Sequence, residues 1–203
     1  MAGLTDVQVC NRSLIRLGET PVNALTQPGT GVICGTIYPS VKAMCLTLHS
    51  WRFNLGKRQL NRLVGAPVNQ WRYAYQLPSD LIQGPYAVYT STDTAAPTTT
   101  EWAIYEDKLY ANAELIVIDY RIDKPEGAWP PWFATLVELA LCAAIGKTVT
   151  GETAIIEEYH QRAFGPPSDD MQGGYFSVCK TINAQGNPNF AIASNAIPDA
   201  RFS

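Results

Sequence analysis

Apolar residues near the start of the chain recur at the spacing of an amphipathic helix. This first stripe consists of Val7, Cys10, Leu14 and Leu17. Thr5 followed three positions later by Gln8 resembles a capping box, in which the hydroxyl and the amide satisfy free N–H groups of the first helical turn. Gly18 interrupts the pattern and Pro21 prevents its continuation. The sequence therefore predicts a first helix that ends near Gly18.

A second apolar stripe follows a glycine-containing loop. It consists of Ile33, Ile37, Val41, Cys45 and Leu48, and it runs into Trp51 and Phe53. Pro39 falls inside the stripe and has no N–H to donate to the preceding turn. We therefore expect either a kinked helix or a helix whose regular part begins near Tyr38. This second helix is expected to pack its stripe against the first.

Three more helices are predicted in the last third of the chain. The third, from Trp132 to Thr148, follows a pair of prolines that suit a first helical turn, and its apolar residues cover almost every face. Such a helix is expected at the centre of the fold. The fourth is "ETAIIEEYHQRAF", residues 152–164. The fifth is expected to be capped by residues 168–170 and to contain the Gly173-Gly174 pair.

The middle of the chain, from about Lys57 to Ile122, has a different pattern. Its short segments are rich in aromatic and β-branched residues and partly alternate between apolar and polar positions. Glu106-Asp107 predicts a turn between two strands. The stretch "TSTDTAAPTTT", Thr90 to Thr100, predicts a polar hairpin tip or loop. We expect a small antiparallel β unit between the second and third helices.

Composition narrows the classes of function. Hydrophobic residues make up 46% of the 203 positions and charged residues 16%, with a net charge of -3. Soluble domains usually have roughly 25% charged residues, so much of this surface is expected to contact other protein. The charge balance argues against a protein that wraps nucleic acid, although DNA that passes nearby without being gripped is compatible with it.

No signal peptide or membrane span is predicted. The N-terminal sequence lacks a basic region followed by an apolar run. The most apolar helical segment, Phe133 to Ile145, contains Glu138 and is shorter than the roughly 20 residues that a bilayer requires. We therefore expect a soluble protein made in the cytoplasm, with no membrane partner.

Residue types that carry catalysis or bind metals are few and scattered. Both histidines, His49 and His160, lie in predicted helices without the spacing of a metal site. The five cysteines form no CxxC pair and are expected to be reduced and buried. "GTGVICG" lacks the spacing of a phosphate-binding loop and is interpreted as the start of a helix. We predict no catalytic residue, no metal ligand and no cofactor.

The stretch "HSWRFN", His49 to Asn54, concentrates residue types that are common in binding sites. A basic cluster of Arg52, Lys57, Arg58 and Arg62 is interleaved with its aromatic residues. This cluster is compatible with contact to nucleic acid, or with a solvated or inter-subunit face. Trp51 and Phe53 continue the second stripe and are predicted to lock the second helix to the β unit. His49 and Arg52 are expected to face solvent or a neighbouring subunit.

Residues 186–203 show no periodicity and few charges, yet they contain spaced apolar residues. One interpretation is a segment that becomes ordered on a partner. The other is a tail that folds back on its own domain.

Several short motifs occur together in an order that is known from one protein family. They are Leu17-Gly18-Glu19 followed by Pro21-Val22, then Trp51 with Phe53, Leu77-Pro78 with Asp80, "AIYEDKLYAN", "IDYRI" and "WPPWF". Over residues 7–164 the chain resembles the tail tubular protein A family, the head-to-tail adaptors, or connectors, of short-tailed bacteriophages. Pro39, the threonine-rich segment and the Gly173-Gly174 pair depart from the family pattern.

The resemblance implies an α+β fold that is mainly helical. An α-helical bundle of about five helices carries a small antiparallel β domain, inserted between helices 2 and 3, and an extended C-terminal tail. The expected bounds are 1–56 and 124–185 for the two parts of the bundle, 57–123 for the β domain and 186–203 for the tail. The structural signature comprises Leu17, Gly18, Glu19, Pro21, Trp51, Phe53, Pro78 and Asp80.

The resemblance also implies a structural role in the virion. Such adaptors form a homo-oligomeric, dodecameric ring between the portal protein and a tail nozzle protein of the tail tubular protein B type, with the tail fibre as a further partner. The ring extends the DNA channel without sequence-specific binding and serves as a platform for tail assembly. The implied portal-interface residues are Phe190, Ile192, Ile197, Arg201 and Phe202. Another phage neck or tail-completion protein, or a tail-associated cell-wall or polysaccharide hydrolase, remains an alternative.

Overall fold

The computed structural model describes residues 3–65, 67–92 and 100–185. Within these ranges the chain is a mixed α and β protein with five α-helices and two small antiparallel sheets. The helices are α1 (Asp6–Arg16), α2 (Thr30–Thr47), α3 (Pro131–Thr150), α4 (Ala154–Phe164) and α5 (Gly174–Gln185). The strands are β1 (Leu55–Gln59), β2 (Tyr73–Gln76), β3 (Leu81–Tyr89), β4 (Trp102–Tyr105), β5 (Lys108–Ala111) and β6 (Val117–Ile122).

Local signals define both ends of α1, as predicted. The Thr5 hydroxyl accepts a hydrogen bond from the Gln8 N–H at 3.2 Å, and the Gln8 side chain accepts one from the Thr5 N–H at 3.1 Å. At the other end Gly18 has a φ of 81°, a left-handed conformation that favours glycine. The Glu19 N–H donates to the Leu14 carbonyl at 2.9 Å. This bond completes a Schellman motif, so Leu17-Gly18-Glu19 is the C-terminal cap of α1.

Helix α2 begins at Thr30, earlier than one of the two sequence predictions placed its start. The helix is continuous from Thr30 to Thr47 with Pro39 inside it, so a start near Tyr38 is wrong. An internal proline costs about 3 kcal/mol. Buried residues on both sides of Pro39, among them Cys34 and Val41, offset this cost by packing into the same core.

Helix α3 occupies the centre of the helical part. Pro131 is its first residue, as the prolines predict, and twelve of its residues are buried. It packs against α1, α2, α4 and α5. The expectation that its apolar segment is too short to cross a membrane is wrong. The helix has 20 residues and is long and apolar enough to span a bilayer by length and composition. However, 67% of its most apolar stretch is buried inside the protein, which accounts for the composition without a bilayer.

Helix α5 begins at the second residue of the glycine pair and does not contain the first. Residues 167–169 form a short 3-10 turn, and α5 starts at Gly174 with a φ of 55°. A Cβ atom at Gly174 would lie 2.6 Å from the backbone nitrogen of Gly165. The pair therefore lets the chain turn tightly against the end of α4. The prediction of a helix running through both glycines is wrong for this reason.

The strands between α2 and α3 form two three-stranded sheets. The first has the order β1-β6-β3 and the second β2-β5-β4, and all neighbours are antiparallel. The predicted turn at Glu106-Asp107 is confirmed as the β4–β5 connection, with Glu106 at a φ of 57°. The sequence patterns had indicated one β unit and gave no sign of its division.

Two groups of buried apolar residues stabilise the fold. The larger group joins all five helices with Trp51 and Trp129, and Ile82 of β3 packs against it. The smaller group lies among the strands and includes Tyr75, Leu109 and Ile118, which are fully buried. Trp51 and Ile82 thus connect the strands to the helical core.

Candidate interaction surfaces

The C-terminal end of α2 is capped by side chains from three places in the sequence. The last four carbonyls of a helix have no partner within it. Three successive carbonyls here accept side-chain hydrogen bonds: Cys45 from Trp51 Nε1 at 2.8 Å, Leu46 from Asn54 Nδ2 at 3.2 Å, and Thr47 from Arg121 Nη1 at 2.7 Å. We call Trp51, Asn54 and Arg121 the α2 cap. The cap ties the end of α2 to the first strand and to β6.

Trp51 of the α2 cap is part of a dense aromatic cluster. Its side chain is fully buried, and its ring lies 5.4 to 5.7 Å from the rings of Trp132, Phe133 and Phe176. Phe53 stacks nearby and is itself 4.8 Å from Phe133. Aromatic pairs at these separations contribute beyond their buried area. This part of "HSWRFN" is thus a packed structural corner.

His49 and Arg52, which flank Trp51, differ in exposure. Arg52 is exposed, as expected, whereas the half-buried ring of His49 packs edge-on against Trp51 and Phe176. Asn183 of α5 lies 3.3 Å from His49 Nε2 and accepts the Arg52 N–H at 3.0 Å. Burial lowers the pKa of His49, and nearby cations on α5 and β6 lower it further. The expectation that His49 faces solvent is wrong, because α5 folds over it.

Arg121 of the α2 cap is a buried cation. Only 5% of the residue is exposed, and its guanidinium also donates to Gln83 Oε1 at 2.9 Å and to Ser50 Oγ at 2.7 Å. Burial lowers the pKa of Arg121. No carboxylate forms an ion pair with it among the described residues. The negative end of the α2 dipole supplies a compensating partial charge.

Glu138 is the one acidic residue on α3, and it is also buried. Arg16 of α1 approaches its Oε2 at 2.9 Å and Arg12 approaches its Oε1 at 3.3 Å. The heads of both arginines are partly exposed, while Glu138 is 2% exposed. A buried carboxylate with two such partners fixes α1 on α3. The apolar pattern of α3 gave no indication of these partners.

The remaining signature residues also lie at joints between elements. Pro21 is exposed just after α1, next to the buried Val22, whose backbone N–H and carbonyl both bond to the side chain of Asn11. Pro78 precedes β3. Asp80 accepts a hydrogen bond from the Tyr120 hydroxyl at 3.1 Å and pairs with Arg58 at 3.4 Å.

The residues of the basic cluster lie within the described part of the chain, whereas those of the C-terminal tail do not. Lys57 and Arg58 are exposed and pair with Asp119 and Asp80 at 3.4 Å each; as consecutive residues of β1 they point to opposite faces of the strand. Phe190, Ile192, Ile197, Arg201 and Phe202, the expected portal-interface residues, lie outside the described residues. Most of the threonine-rich segment, residues 93–99, lies outside them too.

A groove of about 700 Å³ runs along α2 and reaches Asp6, the first residue of α1. Its apolar lining includes Leu25, Val32 and Ile82, and Val32 remains 48% exposed. Gly35 and Pro39 also line it. Because Pro39 has no N–H, the Gly35 carbonyl receives no hydrogen bond from that position. The groove therefore has an apolar surface, and the part of α2 that lines it lacks one backbone hydrogen bond.

The rim of the groove is acidic. It carries Asp6, Asp123 and Glu126, with Lys42 held between the last two at 3.2 and 3.1 Å. Burial works against ionisation of Glu126, but hydrogen bonds from the backbone, Tyr38 and Lys42 lower its pKa overall. Burial and the bond to Glu126 raise the pKa of Tyr38. The rim thus carries three acidic residues and one lysine.

An apolar loop projects from the other part of the molecule, between β1 and β2. Val64 and Val68 are fully exposed, with Gly65 and Pro67 between them. We call residues 63–65, 67 and 68 the valine loop. Sequence reasoning missed this loop, although "LVGAPV" is visible as an apolar run. Two valines fully exposed in one short loop suggest a contact surface.

The described residues contain no group of three or more His, Cys, Asp and Glu side chains that is able to hold a metal ion. All five cysteines are free and buried, as predicted. Burial raises the pKa of Cys45, Cys142 and Cys179 to about 12, so these thiols stay protonated at neutral pH. They act as small apolar groups.

No family model matches the chain, and no curated protein matches it either. The resemblance to the tail tubular protein A family therefore remains a prediction from the order of its motifs.

Proposed function

We propose that the protein is a head-to-tail adaptor of the tail tubular protein A type in the virion of a short-tailed bacteriophage. Copies of the chain form a ring between the portal and the tail nozzle, and the ring extends the DNA channel. In this proposal the five helices act as one bundle, and residues 57–123 act as a β domain inserted between α2 and α3. Residues 186–203 reach the portal.

The observation that carries the proposal is the position of the signature residues. Leu17-Gly18-Glu19 caps α1, Trp51 caps α2, and Asp80 joins the start of β3 to β6 through Tyr120. All of them fix the direction in which one element leaves another. Residues with this role favour a scaffold that must present several surfaces in a fixed orientation. A charged fraction of 16% and the exposed valine loop add support for burial against other protein.

Electron microscopy of negatively stained protein, with and without purified portal rings, tests the proposal. The expected result is a ring of this protein, alone or as density that caps the portal. A protein that stays monomeric and never binds portal, yet clears a suspension of peptidoglycan or polysaccharide, would overturn the proposal in favour of a hydrolase.

Truncation after Gly186 tests the role of the tail separately. The truncated chain is expected to keep its circular dichroism spectrum and melting temperature but to lose attachment to the portal. Attachment at full strength would show that the portal contacts lie in the folded part of the chain.

A further inference from the structure

The groove along α2 and the valine loop have complementary properties, although they belong to different parts of the molecule. We propose that the valine loop of one copy inserts into the groove of a neighbouring copy. This inference rests on the proposed function, because a ring requires one contact that repeats from copy to copy. The occupant of the groove is therefore a second copy of this chain.

Apolar surface is exposed on both sides of the proposed contact. Val64 and Val68 project fully into solvent, and Val32 in the groove is 48% exposed. A groove of about 700 Å³ has room for several side chains of this size. Transfer of the two valines into it removes apolar area from water on both partners, which favours association.

The charges on the two surfaces are opposite. Exposed arginines flank the valine loop at positions 62 and 72, and neither forms a salt bridge with a residue in the described ranges. The rim of the groove carries exposed Asp6 and half-exposed Asp123 beside Glu126. When the two valines occupy the groove of the neighbouring copy, Arg62 and Arg72 lie against its acidic rim. Such complementarity orients the contact and disfavours the reverse arrangement.

The position of the two surfaces also fits a repeating contact. The valine loop connects β1 of the first sheet with β2 of the second, whereas the groove is lined by α2, the loop before it, the first residue of α1, the start of β3 and the segment after β6. The loop does not line the groove of its own chain. Each copy thus offers one donor and one acceptor surface. A contact of this head-to-tail type generates a ring when its rotation closes.

Cysteine pairs test the contact directly, because the native cysteines are all buried and give little background. Oxidation of V32C/V68C in assembled or portal-bound protein is expected to give disulfide-linked trimers and larger species. The reason is that every copy carries one introduced cysteine in the groove and one in the valine loop. Each single variant is expected to give dimers at most. The matched control is V68C/V178C, because Val178 on α5 is 47% exposed and lies outside the groove.

The expected yield of species above dimer is at least tenfold higher for V32C/V68C than for V68C/V178C. Equal ladders from the two pairs, or none from V32C/V68C in rings that do form, would overturn the inference. Faster alkylation of V32C after truncation at Gln185 would also overturn it. That result would place residues 186–203 of the same chain in the groove.

A charge variant separates this inference from the adaptor proposal. V64D/V68D is expected to melt at the wild-type temperature, because both side chains are exposed, but to lose rings and portal-bound rings; V178D is expected to keep them. If V64D/V68D forms rings as well as the wild type, the loop–groove contact is wrong and the adaptor proposal stands. If the wild-type chain neither self-associates nor binds portal, the adaptor proposal fails, and the inference fails with it.

Discussion

Replacement of Trp51 tests whether the α2 cap contributes to stability separately from the aromatic cluster. Emptying a buried site of this size costs about 3–5 kcal/mol, and leaving the buried Cys45 carbonyl without its donor costs about 1–3 kcal/mol more. Trp51→Ala is therefore expected to consume much of the roughly 5–15 kcal/mol by which domains are stable. Trp51→Phe keeps most of the ring but removes the N–H. It is expected to lower the free energy of unfolding by about 2–4 kcal/mol.

The matched control is Trp132→Phe. Trp132 belongs to the same aromatic cluster, 5.4 Å from Trp51, but it is only partly buried. No hydrogen bond from its indole to a described residue accompanies that packing. It is expected to cost about 1 kcal/mol, since the ring remains largely in place. The assay is urea unfolding of the monomer, followed by circular dichroism and by fluorescence to check two-state behaviour.

Equal losses in Trp51→Phe and Trp132→Phe would refute the capping argument and leave packing as the only role of Trp51. A loss below about 1 kcal/mol in Trp51→Ala would refute the larger claim that this corner joins helix to strand, because values that small are typical of surface substitutions.

Three further predictions concern other joints. Arg121→Met is expected to lower the free energy of unfolding in urea by about 2–4 kcal/mol, because it leaves the Thr47 carbonyl of α2 and the side chains of Ser50 and Gln83 without their donor; a neutral result would show that water replaces the guanidinium. Burial lowers the pKa of His49 in the folded protein below 6.5. The contribution of the neutral ring to the free energy of unfolding is therefore complete above pH 6.5 and is lost as the pH falls through the folded pKa. His49→Gln should flatten this decline of the urea midpoint with falling pH, and an unchanged slope would contradict the prediction. Gly174→Ala should lower the melting temperature, because Gly174 has a positive φ and the added Cβ would lie 2.6 Å from the Gly165 nitrogen. Gly65→Ala, with open space around the added Cβ, should not lower it. Equal shifts in the melting temperature would refute the steric argument.

Local signals predicted the fold well wherever they act within a few residues. The Thr5–Gln8 capping box and the left-handed Gly18 were visible in the sequence, because each forms hydrogen bonds inside one helical turn. Pro39 was misjudged because its local cost is real, but packing of α2 against α1 and α3 outweighs it. The Gly173-Gly174 pair was misjudged because its purpose is a close approach to Gly165, which periodicity does not encode.

The candidate surfaces were less predictable than the helices. Trp51 was recognised as a structural residue because it continues the apolar stripe of α2. The groove was not predicted, because its walls come from α2, the first residue of α1, the loop at residues 25–26 and segments at the ends of strands about forty to eighty positions further along. The valine loop was visible as an apolar run, but its full exposure depends on which neighbours the sheets leave around it.

The sequence by itself determined where α1 begins and ends, that α3 is central, and where the β4–β5 turn lies. These features follow from capping groups, apolar coverage and turn residues that act over short distances. Only the tertiary structure decided that Arg121 reaches back 74 positions to cap α2, and that α1 supplies two arginines for the buried Glu138. It also decided that the strands divide into two sheets. The physical reason is that partners of buried polar groups are set by how whole elements pack, which no local pattern specifies.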